Sequence, residues 1–216
     1  MEAGQSEGLT PNGFPVVLKL TGKPVVVIGG GAVGMRKALA ALAAGAVVRV
    51  IDPRSPLAFP PQVTHITEQY HPEHLEGAVL VFACATPEVN AQVVLDAQAR
   101  DVWVNAATSA EGGDFTLPAV VRRGELTLAV STGGASPALA RRIREKLEAE
   151  YDQTFAEWVQ LLAEVRLEVL ATVPDESRRR ELLDSFADWE WLARLRTEGV
   201  AKVMEAMRVE IRRNLS

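Results

Sequence analysis

With a single cysteine, Cys84, the chain can form no internal disulfide, and it has no CxxC or Cys/His cluster with the spacing of a structural zinc site. That thiol stands inside AVLVFACAT, where a small buried filler is the expected role. Histidine is also scarce. His65, His71 and His74 share no metal-ligand spacing, and the last two flank Pro-Glu on a short turn as surface residues, so no metal is expected. No apolar run approaches the roughly 20 residues a membrane-spanning helix requires. The N-terminal MEAGQSEGLTPNG has no basic start followed by an apolar block. No membrane partner is therefore expected, and the expected location is cytoplasmic. Positive charge is outnumbered, 23 Lys and Arg against 28 Asp and Glu. A net charge of −5 argues against a general grip on nucleic acid, which needs clustered cations. Neither a nucleophile elbow nor a clear acid and base pair is present.

What remains is a chain that is 48% apolar, ample for a real core, with an alternating order of elements. KPVVVIG reads as a strand. AVGMRKALAALAAG reads as a helix closed by Gly45, and AVVRVID as a second strand. Further strands are expected in VTHITEQY, VLVFACAT and VWVNAAT, with a helix opening at Pro87 between the last two. Continuous apolar strands without alternation suit a sheet covered on both faces. After Gly113 the pattern changes: DFTLPAVVRRGELTLAVST reads as a hairpin joined at RRGE. Ser136 then caps a helix with Pro137 in its first position, and from Tyr151 apolar residues recur at helical spacing. The expected fold is α/β: a Rossmann-like parallel sheet domain over 1–113, a hairpin plus helix over 114–150, and a helical domain over 151–216.

The first strand runs straight into a glycine turn. Gly29, Gly31 and Gly34 make the spacing GxGxxG, with Gly30, Ala32 and Val33 between them. Gly29 permits the sharp turn, Gly31 lets a diphosphate approach the backbone, and Gly34 lets the helix lie close to the sheet. The helix N-terminus then presents unpaired N–H groups and the positive end of its dipole to the anion. The same turn also occurs in α/β folds that bind nothing. Asp52 ends the second strand, 18 positions past Gly34, where a carboxylate can accept from the adenosine ribose; it also fits an Asp-Pro turn with Pro53. A carboxylate there repels a 2′-phosphate, which favours NAD over NADP, and Arg54 is the neighbour able to offset it. Thr86 and Asn105, at the ends of later strands, stand where ligands collect in such sheets, as does Thr108; Thr86 equally fits a helix N-cap.

A second loop of small residues, STGGASP, covers Ser131 to Pro137 and lacks the GK[ST] of a triphosphate loop. Ser131, Gly133, Gly134 and Ser136, with Arg141 on the following helix, suit carboxylates. A plain strand-to-helix turn before a solvated basic face explains the pattern as well.

Several stretches in order, FPVVLKLTGKPVVVIGGGAVGMRKALAALAAGA, VFACATPEVNAQV and VNAATSAEGGDFTLPAVVRRGELTLAVSTGGASPALARRIREKLE, closely resemble the dehydrogenase module of the siroheme synthase family, precorrin-2 dehydrogenase. The Arg-Lys pair after the glycines, DFTLPAVVRRG and above all STGGASP are specific together. The resemblance covers Phe14 to Tyr151 closely and the helical tail more loosely. It implies a homodimer with an NAD-binding domain, a central dimerisation segment and a helical domain. It further implies NAD-dependent oxidation of precorrin-2, a tetrapyrrole fringed with carboxylates, to sirohydrochlorin on the way to siroheme or cobalamin. In bifunctional members an aspartate follows VN by three residues; here that position is Thr108, which points to the dehydrogenase-only branch and away from iron insertion. Thr108 and, in GGDF, Asp114 are the candidate catalytic residues, Asp114 fitting a turn-capping carboxylate equally well. No methyltransferase domain follows within these residues, unlike the fused enzymes. A bifunctional dehydrogenase and ferrochelatase is the alternative enzyme, and a non-catalytic dinucleotide sensor the alternative of another class.

Overall fold

The computed structural model describes residues 13–54, 58–106 and 113–215. It divides into two compact units after Leu117. In the first, strands β1 (Pro24–Ile28), β2 (Val47–Ile51), β3 (Thr64–Ile66), β4 (Leu80–Ala83) and β5 (Trp103–Ala106) form one parallel sheet in the order β3-β2-β1-β4-β5. Helix α1 (Ala32–Ala43) links β1 to β2, and α2 (Pro87–Gln98) links β4 to β5. The continuous apolar strands follow from this double cover. Val25, Val27, Val48, Val50, Leu80 and Phe82 pack with Ala38 and Ala41 of α1. Val26, Ile28, Ile51, Val81, Ala83 and Val104 pack with Val93 and Ala97 of α2. Successive side chains of one strand point to opposite faces, so both must be apolar.

Small residues let α1 lie close to the sheet, and its buried stripe is Gly34, Lys37, Ala38 and Ala41. The helix stops at Gly45, φ +81°, whose N–H donates to Leu42 O at 2.9 Å while the Ala46 N–H returns to Ala41 O at 3.1 Å. Chain order reverses about β1: it is followed by β2 on one side, while β4 enters on the other. Such a reversal opens a crevice beyond the carboxyl ends of the strands.

The second unit begins with an antiparallel hairpin, β6 (Ala119–Arg123) and β7 (Leu126–Val130), turning at Gly124 with φ +56°. Helices α3 (Pro137–Glu150), α4 (Thr154–Thr172), α5 (Glu176–Phe186), α6 (Trp189–Glu198) and α7 (Val200–Arg213) follow. Arg123 ties hairpin to helix by donating to Tyr151 O at 2.8 Å and Glu148 O at 2.9 Å, carbonyls left open at the end of α3. Phe155, Trp158, Leu161, Val165 and Val169 make the core stripe of α4, against Phe186, Leu195, Val203, Met207 and Ile211. The α/β class, with its hairpin and helical tail, is the one the sequence leads one to expect.

Candidate functional site

The glycine turn is built by close backbone contact. Gly29, at φ +102°, donates its N–H to Ile51 O at 2.8 Å, and a Cβ there would lie 2.5 Å from Cys84 O. A Cβ on Gly34 would lie 1.8 Å from Gly29 O, so only glycine lets α1 rest on the turn. At Gly31, by contrast, a Cβ would meet nothing within 4 Å. Gly31 is also the N-cap of α1, with no side-chain cap and no acidic residue in the first turn. The first-turn N–H groups of α1 thus have no side-chain cap, as in α4 and α7, whereas α2, α3, α5 and α6 are capped by Thr86, Ser136, Asp175 and Asp188. This cradle fits a diphosphate.

Asp52, the residue after β2, is 2% exposed and turned onto the glycine turn. Its Oδ2 accepts the Gly30 N–H at 2.6 Å and its Oδ1 the Arg54 N–H at 2.8 Å. Burial pushes its carboxyl up, but those two N–H groups and the Arg54 guanidinium outweigh it and hold the group below its ordinary 3.8. Oδ1 also faces Arg54 Nε at 3.5 Å, while Oδ2 keeps a lone pair, enough to accept a ribose hydroxyl.

Around β4 and β5 the polar groups are committed to one another. Thr86 accepts the Val89 N–H at 3.5 Å as the cap of α2. Asn90 is buried and holds the chain after β4, taking the Ala85 N–H at 2.8 Å and donating to Ala85 O at 3.2 Å. Asn105 is buried, its Oδ1 accepting from Lys37 Nζ and its Nδ2 donating to Phe115 O at 2.7 Å. Asp114 is exposed; its Oδ2 accepts the Val104 N–H at 2.8 Å while its own N–H donates to Val104 O at 2.8 Å. Thr108 lies outside the described residues.

Lys37, the second residue of the Arg-Lys pair after the glycines, is given no site role by the motif alone. It is 8% exposed, and its Nζ stands 5.1 Å from the Phe82 ring centroid. Burial lowers its ammonium below the ordinary 10.5, against an opposing pull from Cys84. The Cys84 thiol is itself raised by burial above 9.0. The signal was present: Lys37 falls with Gly34, Ala38 and Ala41 on one helical stripe.

In the second unit, STGGASP is organised by its own side chains. Ser131 Oγ accepts the Gly133 N–H at 3.2 Å, Thr132 Oγ1 the Ser136 N–H at 3.1 Å, and Ser136 Oγ the Leu139 N–H at 3.2 Å. Gly133 and Gly134 take φ +59° and +87° with open space where a Cβ would be. Arg141 is exposed, 3.9 Å from Glu145. A hollow of about 230 Å³ in the first unit, lined by Leu18, Lys23, Val79 and Trp103, lies at the amino ends of β4 and β5, the wrong edge for a ligand of such a sheet.

A parallel sheet with an open glycine turn and a strand-end acid defines a dinucleotide-binding α/β protein. Residues 16–119 match the family described as putative NAD(P)-binding, and residues 123–150 the central region of sirohaem biosynthesis proteins. The siroheme synthase of Gluconacetobacter diazotrophicus is 35% identical over 193 residues, 85% of this chain and 41% of that protein. That of Photobacterium profundum is 36% identical over 181 residues, 81% of this chain and 39% of that protein. The chain therefore spans about two-fifths of the length of these relatives. The solved structure of SirC, a precorrin-2 dehydrogenase, superposes with a TM-score of 0.73 at 27% identity, covering 90% of this chain and 98% of that one. The chain is thus similar in fold to a precorrin-2 dehydrogenase and in sequence to part of the siroheme synthases. Among the described residues no helix is long and apolar enough to cross a membrane.

Proposed function

We propose that this chain oxidises precorrin-2 to sirohydrochlorin with NAD as hydride acceptor, a step toward siroheme or cobalamin. The observation that carries this reading is the uncapped glycine turn braced by Asp52, in a chain that matches the dinucleotide module and the sirohaem central module in order. Bound NAD supplies the electrophilic pyridine ring that takes up hydride. The N–H groups of Gly31, Ala32, Val33 and Gly34 hold its diphosphate, Gly29 and Gly30 shape the turn, and Asp52 accepts from the adenosine ribose. Thr86 and Asn105 border the crevice over β4 and β5, where the rest of the molecule extends.

Oxidation also releases a proton, and Thr108 and Asp114 are the groups assigned to it. A hydroxyl can relay a proton but cannot store one as a carboxylate can. For that reason Thr108 supports the dehydrogenase-only branch, with metal insertion expected at the uncatalysed rate. The substrate's carboxylates suit the backbone of Ser131, Gly133, Gly134 and Ser136 and the Arg141 guanidinium. Residues 1–113 form the cofactor domain, 114–150 the segment joining two copies in a homodimer, and 151–216 the helical domain. Exposed Leu139 and Ile143 on α3 support that joining role.

Anaerobic incubation with precorrin-2 and NAD tests the activity: sirohydrochlorin and NADH should form together, and NAD binding without turnover above background overturns the reading. Arg141→Ala should raise the KM for precorrin-2 about tenfold and leave the NAD dissociation constant unchanged. Its exposed contact with Glu145 contributes little to stability, so the effect is readable. Equal losses for both ligands would remove Arg141 from the substrate site.

A further inference from the structure

Lys37 presents a buried cation at the edge of the sheet where chemistry occurs. It lies five residues beyond Ala32, the first residue of α1, yet helical side chains lean toward the helix N-terminus. Its stem therefore reaches back to Asn105, near the carboxyl end of β5, and to Cys84, just past the end of β4. Among the described residues it makes no ion pair with a carboxylate; its partners are the Asn105 carbonyl oxygen, the face of Phe82 and the Cys84 sulfur. Burying an uncompensated ammonium opposes folding, and a methionine would fill the same space beside Phe82. Packing thus gives no reason for the charge.

A ligand does. With the diphosphate on the glycine turn and the ribose at Asp52, the remaining half of a dinucleotide extends away from β2, over β4 and β5. That is the side on which Lys37 ends. We infer that Lys37 sets the redox preference of this site: its buried positive charge favours the reduced dinucleotide, with a neutral pyridine ring, over the oxidised one, with a cationic ring. This rests on the reading that a pyridine dinucleotide occupies the glycine turn. The charge opposes binding of the oxidised form and favours hydride uptake once it is bound, the direction the proposed reaction needs.

Other nearby charges do not cancel it. Arg36, beside it on α1, is exposed, and Cys84 is kept neutral by burial. Arg49 of β2 is committed to the carbonyls of His74 and Glu76, and Asp114 to the Val104 N–H. Neither β1 nor β5 carries an ionisable side chain.

Calorimetric dissociation constants for NAD and NADH, taken separately, test the inference. The NAD-to-NADH ratio of these constants should fall about three- to tenfold in Lys37→Met and Lys37→Gln, and Lys37→Arg should retain the wild-type ratio. Lys37→Gln keeps an N–H for Asn105 and decides the matter if the methionine variant melts. A further arm leaves Lys37 in place and raises the pH in a Cys84→Ser background, where the ratio should fall as Lys37 discharges. If both constants change in parallel and the ratio holds, Lys37 is a structural residue only and the inference fails. If the wild type binds neither form, the dinucleotide reading itself fails.

Discussion

Gly34→Ala is expected to abolish measurable dinucleotide binding and to destabilise the first unit by about 3 kcal/mol or more, at the upper end of overpacking costs. The new methyl would stand 1.8 Å from Gly29 O and 3.0 Å from Gly29 C, both backbone atoms. No rotamer relieves such a contact; α1 must retreat or the turn must open. The turn has nowhere to go, because Gly29 is held by the Ile51 carbonyl on one side and lies against Cys84 O on the other. A retreating α1 carries away the N–H groups proposed to hold the diphosphate. It also pulls Ala38 and Ala41 from the valines of β1 and β2. Gly31→Ala is the matched control. Its φ of −69° suits any residue and its Cβ would meet no atom of the protein. It should cost about 1 kcal/mol or less, as other alanine N-caps do, yet weaken NAD binding about tenfold or more by occupying the approach to the diphosphate. Thermal melting and calorimetry on the two variants separate fold from site. Wild-type NAD affinity in Gly34→Ala would remove the glycine turn from the site.

How far the sequence foretold this arrangement depends on whether the information is local. The unbroken apolar runs of β1 and β4, the glycine spacing, the cap at Gly45 and the Ser136-Pro137 helix start are written within a few residues each, and the structure has all of them. Long-range partners are not written that way. Asp114 reaches Val104 across 10 residues and Lys37 reaches Asn105 across 68, and no periodicity encodes such a pairing. The Arg-Lys pair stands out as part of the resemblance, and Lys37 falls on the buried stripe of α1, but neither fact names Asn105 as its partner. Arg123 is a similar case: within RRGE it looks like turn charge, and only the end of α3 gives its guanidinium carbonyls to bind. Asp52 was legible as a strand-end acid. Its grip on the Gly30 N–H was not, because that contact depends on the register of β1 with β2.

That grip carries the second large effect. Asp52→Ala leaves the buried Gly30 N–H without its acceptor, and charged hydrogen bonds of this kind are worth about 1.5–3 kcal/mol. The Arg54 guanidinium adds little, since that side chain is exposed. A loss of about 3 kcal/mol is expected at neutral pH, together with weaker NAD binding. Asp52→Asn keeps the shape but offers a single acceptor oxygen to two N–H groups and should fall between. The pH dependence has a definite sign. The folded carboxyl lies below its ordinary 3.8, so Asp52 contributes its full stabilisation above the unfolded value and loses it as pH falls through that value toward the folded one. The melting temperatures of wild type and Asp52→Ala should therefore stay apart by a constant amount from about pH 7 to about pH 5 and draw closer below about pH 4. A gap that persists or widens in acid would mean that the carboxylate charge does not brace the turn, and that Asp52 is held there by shape alone.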